Sequence, residues 1–283
     1  MARIKQPISY RKRILLSTVG VLLLVGLYFV LSMKQHIKNH QDTTLPNAYQ
    51  LWDGFTQIVS PHKKLFSETE PTLWDNIKSA WLAQDVLATY GRLFKGLIWG
   101  CLLSVIIGIL AGCYETFAAF IIPVTSVLAK APGTAMLAVF FVIVGTGEPM
   151  YVAMIGFGVM PTLIQAVYLS ARDDLHEEEI DKAYTLGASS FEVIWNIVLR
   201  QVLPKLIDSI RLQIGPAMVC LIAAEMLIGE VGFGYRIRMQ QRLLHMNVVY
   251  LYITFLAFSG LLLDKGLISL RRYACPWYRR GKS

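Results

Sequence analysis

The strongest constraint in this sequence is a run of twenty residues without a single charge, ILLSTVGVLLLVGLYFVLSM at 14–33. A segment of that length crosses a bilayer core of about 30 Å as a helix, because hydrocarbon offers no partners for backbone N–H and C=O groups and a helix satisfies them internally. Five more apolar blocks follow, at 86–113, 117–144, 150–171, 206–228 and 248–263, the last extending as far as 270. The resulting fold class is an all-α, polytopic membrane protein with six transmembrane helices. Composition agrees: of 283 residues, 55% are hydrophobic and 16% charged, with a mean hydropathy of +0.50.

A net charge of +8 could suit nucleic acid. The basic residues, however, sit at the ends of apolar blocks, where membrane topology explains them, and no basic-aromatic stripe lies on a soluble segment. Arg11-Lys12-Arg13 before the first block has the charge order of a signal peptide. The apolar run is longer than a signal core and no small-x-small site follows it, so it reads as a first span with a cytoplasmic N-terminus. From that start, 17 of the 27 basic residues fall on the inner side and 10 on the outer, and half of those ten lie in one long loop where the bias is weak. The chain divides into a cytoplasmic N-terminus and first helix (1–33), an extracytoplasmic loop (34–85), a core (86–272) with a cytoplasmic loop at 172–205, and a basic cytoplasmic tail (273–283). The localisation is a bacterial-type inner membrane, with both termini inside and lipid as the surrounding partner.

Within the outer segment Pro46, Pro61 and Pro71 act as breakers, residues 48–59 have a helical pattern, and Trp52, Trp74 and Trp81 suit a membrane interface. Gly96, Gly100, Gly108 and Gly112 recur at four- and eight-residue spacing, which lets a neighbouring helix approach closely. Lys130-Ala131-Pro132-Gly133 interrupts the third block, giving an oblique piece, a break and a span over 133–144. Cys101, Cys113, Cys220 and Cys275 are not placed for an exterior disulfide, and no pair has metal-ligand spacing.

Residues 181–204, DKAYTLGASSFEVIWNIVLRQVLP, form a polar, helix-forming stretch between two apolar blocks. Gly187 can leave the helical region at no steric cost, Ser189 and Ser190 can cap a second helix, and Glu192 suits its positive end. Phe191, Ile194, Trp195 and Val198 share one apolar face at helical spacing, and Pro204 opens the next segment at or near a helix start. An ordinary loop between two membrane helices is the alternative.

The segment resembles the EAA loop of importer-type ABC permeases: Asp181, Ala183, Gly187 and Ile197 fall at matching positions, and Leu186-Gly187-Ala188-Ser189 is similar to the Leu-Gly-Ala-Ser of the nitrate/sulfonate/taurine/bicarbonate branch. Asp181 stands for Glu, Lys182 for the first Ala, and Arg200 for a first Pro, whereas Pro204 matches the second. Leu45-Pro46-Asn47, Arg92, Leu262-Leu263-Asp264, and Ala223-Ala224-Glu225-Met226-Leu227 followed by Gly232-Phe233-Gly234-Tyr235 also resemble that branch, so the likeness covers roughly 45–272, with 60–76 as an insertion. It implies a type I ABC importer permease fold for a small, anionic solute. It further implies a homodimer, two cytoplasmic ATPase subunits that hold the ATP and Mg2+, an extracytoplasmic solute-binding protein, alternating access, and no cofactor or catalytic residue on this chain. The ATPase-coupling residues it implies are Asp181, Ala183, Leu186, Gly187, Ala188, Ser189, Phe191 and Pro204.

Two features invite a role in the solute path. Glu225 is a carboxylate in an apolar span, where insertion costs roughly 2.5–3.5 kcal/mol, so it is expected to be paired, on a protein-lined face or near water; helix packing and solute contact are both open to it. Arg236, Arg238 and Arg242 lie on the outer side against the topological bias. They either meet headgroups, Glu230 and acids of a binding protein, or ring an outer mouth and draw in an anion. Neither a secondary transporter, which would show inverted repeats and several midplane ionisable groups, nor a membrane enzyme fits as well. Gly281-Lys282-Ser283 has Pro276 where a phosphate-binding loop needs Gly, and His176-Glu177 has Ile180 where a zinc helix needs its second His.

Overall fold

The computed structural model describes residues 9–39, 42–60, 80–173 and 177–278. Pro61, Pro71, Trp74, His176 and Gly281-Lys282-Ser283 lie outside them, as does nearly all of the 60–76 insertion. The chain forms α1 (Tyr10–Lys38), α2 (Ala48–Val59), α3 (Trp81–Cys113), α4 (Glu115–Leu128), a 3-10 turn (Gly133–Met136) and α5 (Leu137–Val144). It continues with α6 (Glu148–Asp173), α7 (Glu177–Thr185), α8 (Ser190–Val193), a π turn (Ile194–Val198), α9 (Leu199–Ile228), α10 (Phe233–Arg242) and α11 (Met246–Ala274).

Among the described residues five helical stretches are long and apolar enough to cross a membrane, and α4 with the 3-10 turn and α5 makes a sixth if its two limbs count as one. Those limbs are bent by 89°. The segment 133–144 expected as a span is therefore only one limb of a broken one: at about 1.5 Å per residue it is too short to cross alone. Pro132 explains the break, since it has no amide to donate and disfavours helix in the residue before it.

At the centre is α6. Its Met150, Met154, Ile155, Val159, Leu163 and Val167 are buried between α3 and α9. The expected glycine stripe makes the α3–α6 contact. A Cβ on Gly96 would stand 2.6 Å from Ile155, one on Gly108 2.6 Å from Val167, and one on Gly112 2.4 Å from Ala171. Between them the Ser104 hydroxyl donates to the Gly100 carbonyl at 2.6 Å, so even the polar member of the stripe is satisfied inside its own helix.

A second departure concerns Pro204. It does not open a helix. The helix from Ser190 to Ile228 is continuous through it, and Pro204 is buried within α9. The π turn upstream, where the Leu199 N–H reaches the Ile194 carbonyl five residues back, inserts an extra residue into the first turns. Two polar ties then bracket α9. Near its start Asp208 bonds Arg271, and Arg211 pairs with Asp264 at 2.7 Å. Near its end lies Glu225, about 26 Å further along at ~1.5 Å per residue, close to the thickness of a hydrocarbon core.

Outside the bundle α1 is almost wholly exposed along its apolar length, tethered where Tyr28 and Ser32 donate to the carbonyl of Pro46 at 2.8 and 3.2 Å. That carbonyl precedes α2, which begins in a capping box of Asn47 and Gln50. Its buried Gly54 admits Asn247 and Leu251 of α11.

Gly108→Leu is expected to destabilise the bundle by about 1–3 kcal/mol through overpacking. Gly91→Ala, with no atom near its would-be Cβ, is expected to be neutral or slightly stabilising. Thermal unfolding of the two variants in detergent checks the contrast.

Candidate functional site

Two regions at opposite ends of α9 carry the residues singled out from sequence. The first is the corner between α7 and α8. Helix α7 ends where the Gly187 N–H donates to the Tyr184 carbonyl at 2.9 Å and the Ala188 N–H to the Ala183 carbonyl at 3.0 Å. This closing pair needs a left-handed residue, and Gly187 supplies it at φ +85°. Ser189 then caps α8: its amide donates to Glu192 at 2.8 Å and its hydroxyl accepts the Glu192 N–H at 3.4 Å. Ser190 is the first residue of α8 and not its cap.

The corner brings together Ala183, Leu186, Gly187, Ala188, Ser189 and Phe191. Asp181 is exposed one turn back, and Lys182 pairs with Glu178 at 3.8 Å. Pro204 is not among them; along the helix it lies about 20 Å from Ser190. The expected single apolar face is split as well. Val193 and Val198 are buried, whereas Phe191 and Trp195 face outward, stacked at 6.4 Å. The π turn rotates the register between them, which a 3.6-residue period cannot anticipate. Leu186 is 88% and Phe191 72% exposed, so the corner presents apolar side chains that the chain itself does not cover.

At the other end two wholly buried carboxylates converge on the turn between α9 and α10. Glu225 accepts from the Arg92 guanidinium at 2.9 Å, the Thr89 hydroxyl at 3.0 Å and the Gly234 amide at 3.0 Å. Asp85 accepts from the Gly232 amide at 3.0 Å, Arg236 Nε at 2.9 Å and the Tyr252 hydroxyl at 2.7 Å. Between them the Phe233 amide donates to the Thr89 hydroxyl oxygen at 2.9 Å, so all three amides entering α10 are held by side chains of α3 and α9. Arg92 also reaches the Val231 carbonyl at 2.7 Å and Glu148 at 2.9 Å, lying 4.2 Å above the Tyr151 ring.

The arginines separate. Arg236 bonds Asp85, rather than the Glu230 suggested by sequence, and stacks 4.5 Å from Trp81. Arg238 donates to the terminal carbonyls of α9 at Met226 and Leu227. Arg242 is exposed. Arg238 and Arg242 line a cavity of about 580 Å³ with Thr134, Ala138, Ala223 and Met226. Thr134 also belongs to a second, mainly apolar cavity of about 490 Å³ lined by Pro132, Gly158, Pro216 and Cys220. The α9 residues Pro216, Val219, Cys220, Ala223, Met226 and Leu227 follow one helical face, so the two cavities form one groove between α9 and the broken helix.

Sequence reasoning flagged Glu225 and passed over Asp85, Thr89 and Tyr252. Asp85 and Thr89 are one turn apart and lie on the same buried face of α3 as Gly96 and Gly100. That i, i+4 continuation of the glycine stripe was the available signal.

Lipid-length helices around a satisfied polar cluster make this a polytopic helical membrane protein. Residues 104–279, more than half of the chain, match the family model for the binding-protein-dependent transport system inner membrane component, and the chain belongs to that family. It is a non-catalytic ABC importer permease subunit, with ATPase activity in separate subunits. It is 25% identical over 272 residues to the taurine transport system permease protein TauC of Escherichia coli (strain K12), covering 96% of this chain and 92% of the relative. It is 23% identical over 196 residues to the nitrate import permease protein NrtB of Synechocystis sp., covering 69% and 70%. The bicarbonate transport system permease protein CmpB of the same organism is 24% identical over 194 residues, covering 68% and 69%. In fold the chain is similar to the inward-facing MetNI methionine ABC transporter, with a TM-score of 0.59 at 17% identity, covering 72% of this chain and 98% of that one.

Arg92→Met leaves Glu225 buried without its cation and is expected to cost about 3–5 kcal/mol, whereas Arg92→Met with Glu225→Met removes both charges and should recover much of that loss. Urea unfolding of the singles and the double in detergent measures the coupling.

Proposed function

We propose that this permease carries a small anion through the groove between α9 and the broken helix. In this reading it works as a homodimer, with one ATPase subunit on the corner of each copy and a solute-binding protein at the Arg238–Arg242 end. The observation that carries the reading is the exposed Gly187 corner, an apolar, conformationally fixed projection at one end of a rod whose other end borders the groove. The corner faces the cytoplasm and both termini lie on that side, as the distribution of basic residues favours. ATP and Mg2+ belong to the partner ATPases, and their approach would swing the two corners and rock the bundles between inward and outward openings. A groove open along one side of a single chain suits closure by a second copy. Relatives named for nitrate and bicarbonate support an anionic solute, and one named for taurine a solute with a sulfonate group; a forked guanidinium is a fitting partner for each.

Because no atom crowds a side chain at Gly187, Gly187→Val acts through its positive φ alone, at a cost of about 1–2 kcal/mol or more for a β-branched residue. The assembled variant should stay in the membrane, while solute-stimulated ATP hydrolysis and uptake in proteoliposomes become uncoupled; unchanged coupling refutes the corner's role. Arg242→Gln tests the mouth. Uptake of nitrate or bicarbonate, whichever the intact transporter accumulates, should fall severalfold at low concentration and low salt and much less at saturation, because each carries a net negative charge. A loss that is equal at every salt concentration would refute attraction by charge.

A further inference from the structure

The clasp of Asp85, Thr89 and Glu225 lies behind α10, away from the groove, yet it holds everything that fixes where α10 points. Three consecutive amides, Gly232, Phe233 and Gly234, and the guanidinium of Arg236 end on these three side chains. The fit leaves no slack. A Cβ on Gly232 would stand 2.5 Å from a Glu225 carboxylate oxygen, and one on Gly234 2.5 Å from the Ile222 carbonyl. Tyr252 closes the far side, its hydroxyl on Asp85 and its ring edge-on to Phe233 at 5.3 Å. Arg238 and Arg242 follow within the same ten-residue helix, one and two turns after the held amides. We propose that Asp85 and Thr89 on α3 are positioning residues of the outer mouth: through Arg236 and the Gly232 and Phe233 amides they set the pose of α10 and so keep Arg238 and Arg242 over the groove.

The energetic reason is burial. A buried carboxylate with three donors is stable in place, but a swing of α10 would take Arg236 and the Gly232 amide from Asp85 and the Gly234 amide from Glu225, leaving three amides unpaired and Asp85 without its cation at once. The turn therefore behaves as one piece with α3, and α10 keeps its place relative to α3. The value of this placement for transport rests on the arginines serving the solute path; the placement itself does not.

The test uses the assembled transporter in proteoliposomes, with the native cysteines replaced by alanine. Spin labels at Ala138→Cys and Gln241→Cys report the distance between the two walls. Asp85→Asn is expected to broaden and lengthen that distance, and Thr89→Val, which removes one hydroxyl and no charge, to do so to a lesser degree. A single thiol at Ala138→Cys, treated with anionic and cationic methanethiosulfonates, reports the local potential. With Asp85 intact the anionic reagent should be favoured; in Asp85→Asn that preference should fall about fivefold as the arginines move off. Removing a negative charge by itself would raise the preference, so the sign separates displacement from simple electrostatics. Asp85→Asn with Arg236→Gln should restore the melting temperature but not the distance, because the amide contacts remain altered. An unchanged distance in both Asp85→Asn and Thr89→Val, or recovery of distance together with stability in the double variant, overturns the positioning role. A changed distance with no reagent preference even in the parent leaves that role standing and removes the arginine mouth instead.

Discussion

Hydrocarbon provides no solvent for a polar group, and the end of this bundle around the turn between α9 and α10 is organised around that fact. Glu225 and Asp85 are buried completely, and each is acceptable there only because a guanidinium, a hydroxyl and a backbone amide converge on it. Those partners come from α3, from α10 with the turn that enters it, and from α11, so satisfying Asp85 of α3 and Glu225 of α9 joins four helices. The remainder of the core is apolar packing, which is non-directional and would tolerate small rotations of one helix against another. The polar clasp removes that tolerance. Its arrangement is specific because any misplacement exposes a charge to lipid or to an apolar wall.

The α3–α6 contact uses the complementary device. Lipid tails are as apolar as leucine, so burial of apolar surface alone gives two membrane helices little reason to associate. Close approach at Gly96, Gly108 and Gly112 gains dispersion contacts instead, with Ile155, Val167 and Ala171 filling the positions where Cβ atoms would have stood. The same face of α3 carries Asp85 and Thr89 above the glycines. One helical stripe thus changes from backbone-close packing at its glycines to hydrogen bonding at Thr89 and Asp85.

How much of this was legible depended on the range of the interaction. The glycine stripe, the Pro132 break, the Gly187 corner and the Ser189–Glu192 box are written within a few residues of one another, and local geometry follows from them directly. Glu225 announced itself as a carboxylate inside an apolar run. Asp85 did not, because it sits at the polar edge of its block and its partners lie about 150 residues further along the chain. Pro204 and the pair Phe191 and Trp195 misled for a different reason. A proline in a long buried helix and a π turn are both exceptions to local rules that surrounding packing can stabilise, so neither can be inferred from spacing alone.

That π turn also bears on how force could pass along the molecule. From Ser190 to Ile228 the backbone is one helix, with the exposed corner at its beginning, the Asp208 and Arg211 ties about halfway along, and Glu225 near its end. A helix transmits displacement along its axis well, because its hydrogen bonds resist extension, but it bends where those bonds are interrupted. The interruptions here are the π turn at Ile194–Val198, Pro204 and Pro216. The first two lie between the corner and the Asp208 and Arg211 ties, and the third lies on the wall of the groove. On the proposed reading, movement of the corner would be absorbed partly by flexing before those ties and passed beyond them as rotation of the groove-lining face, while the clasp at Glu225 keeps the far end registered with α3. The π turn and Pro204 thus lie between the corner and the first tie, and Pro216 lies between the two ties, so on the same reading one continuous element would connect a mobile end to a stationary one.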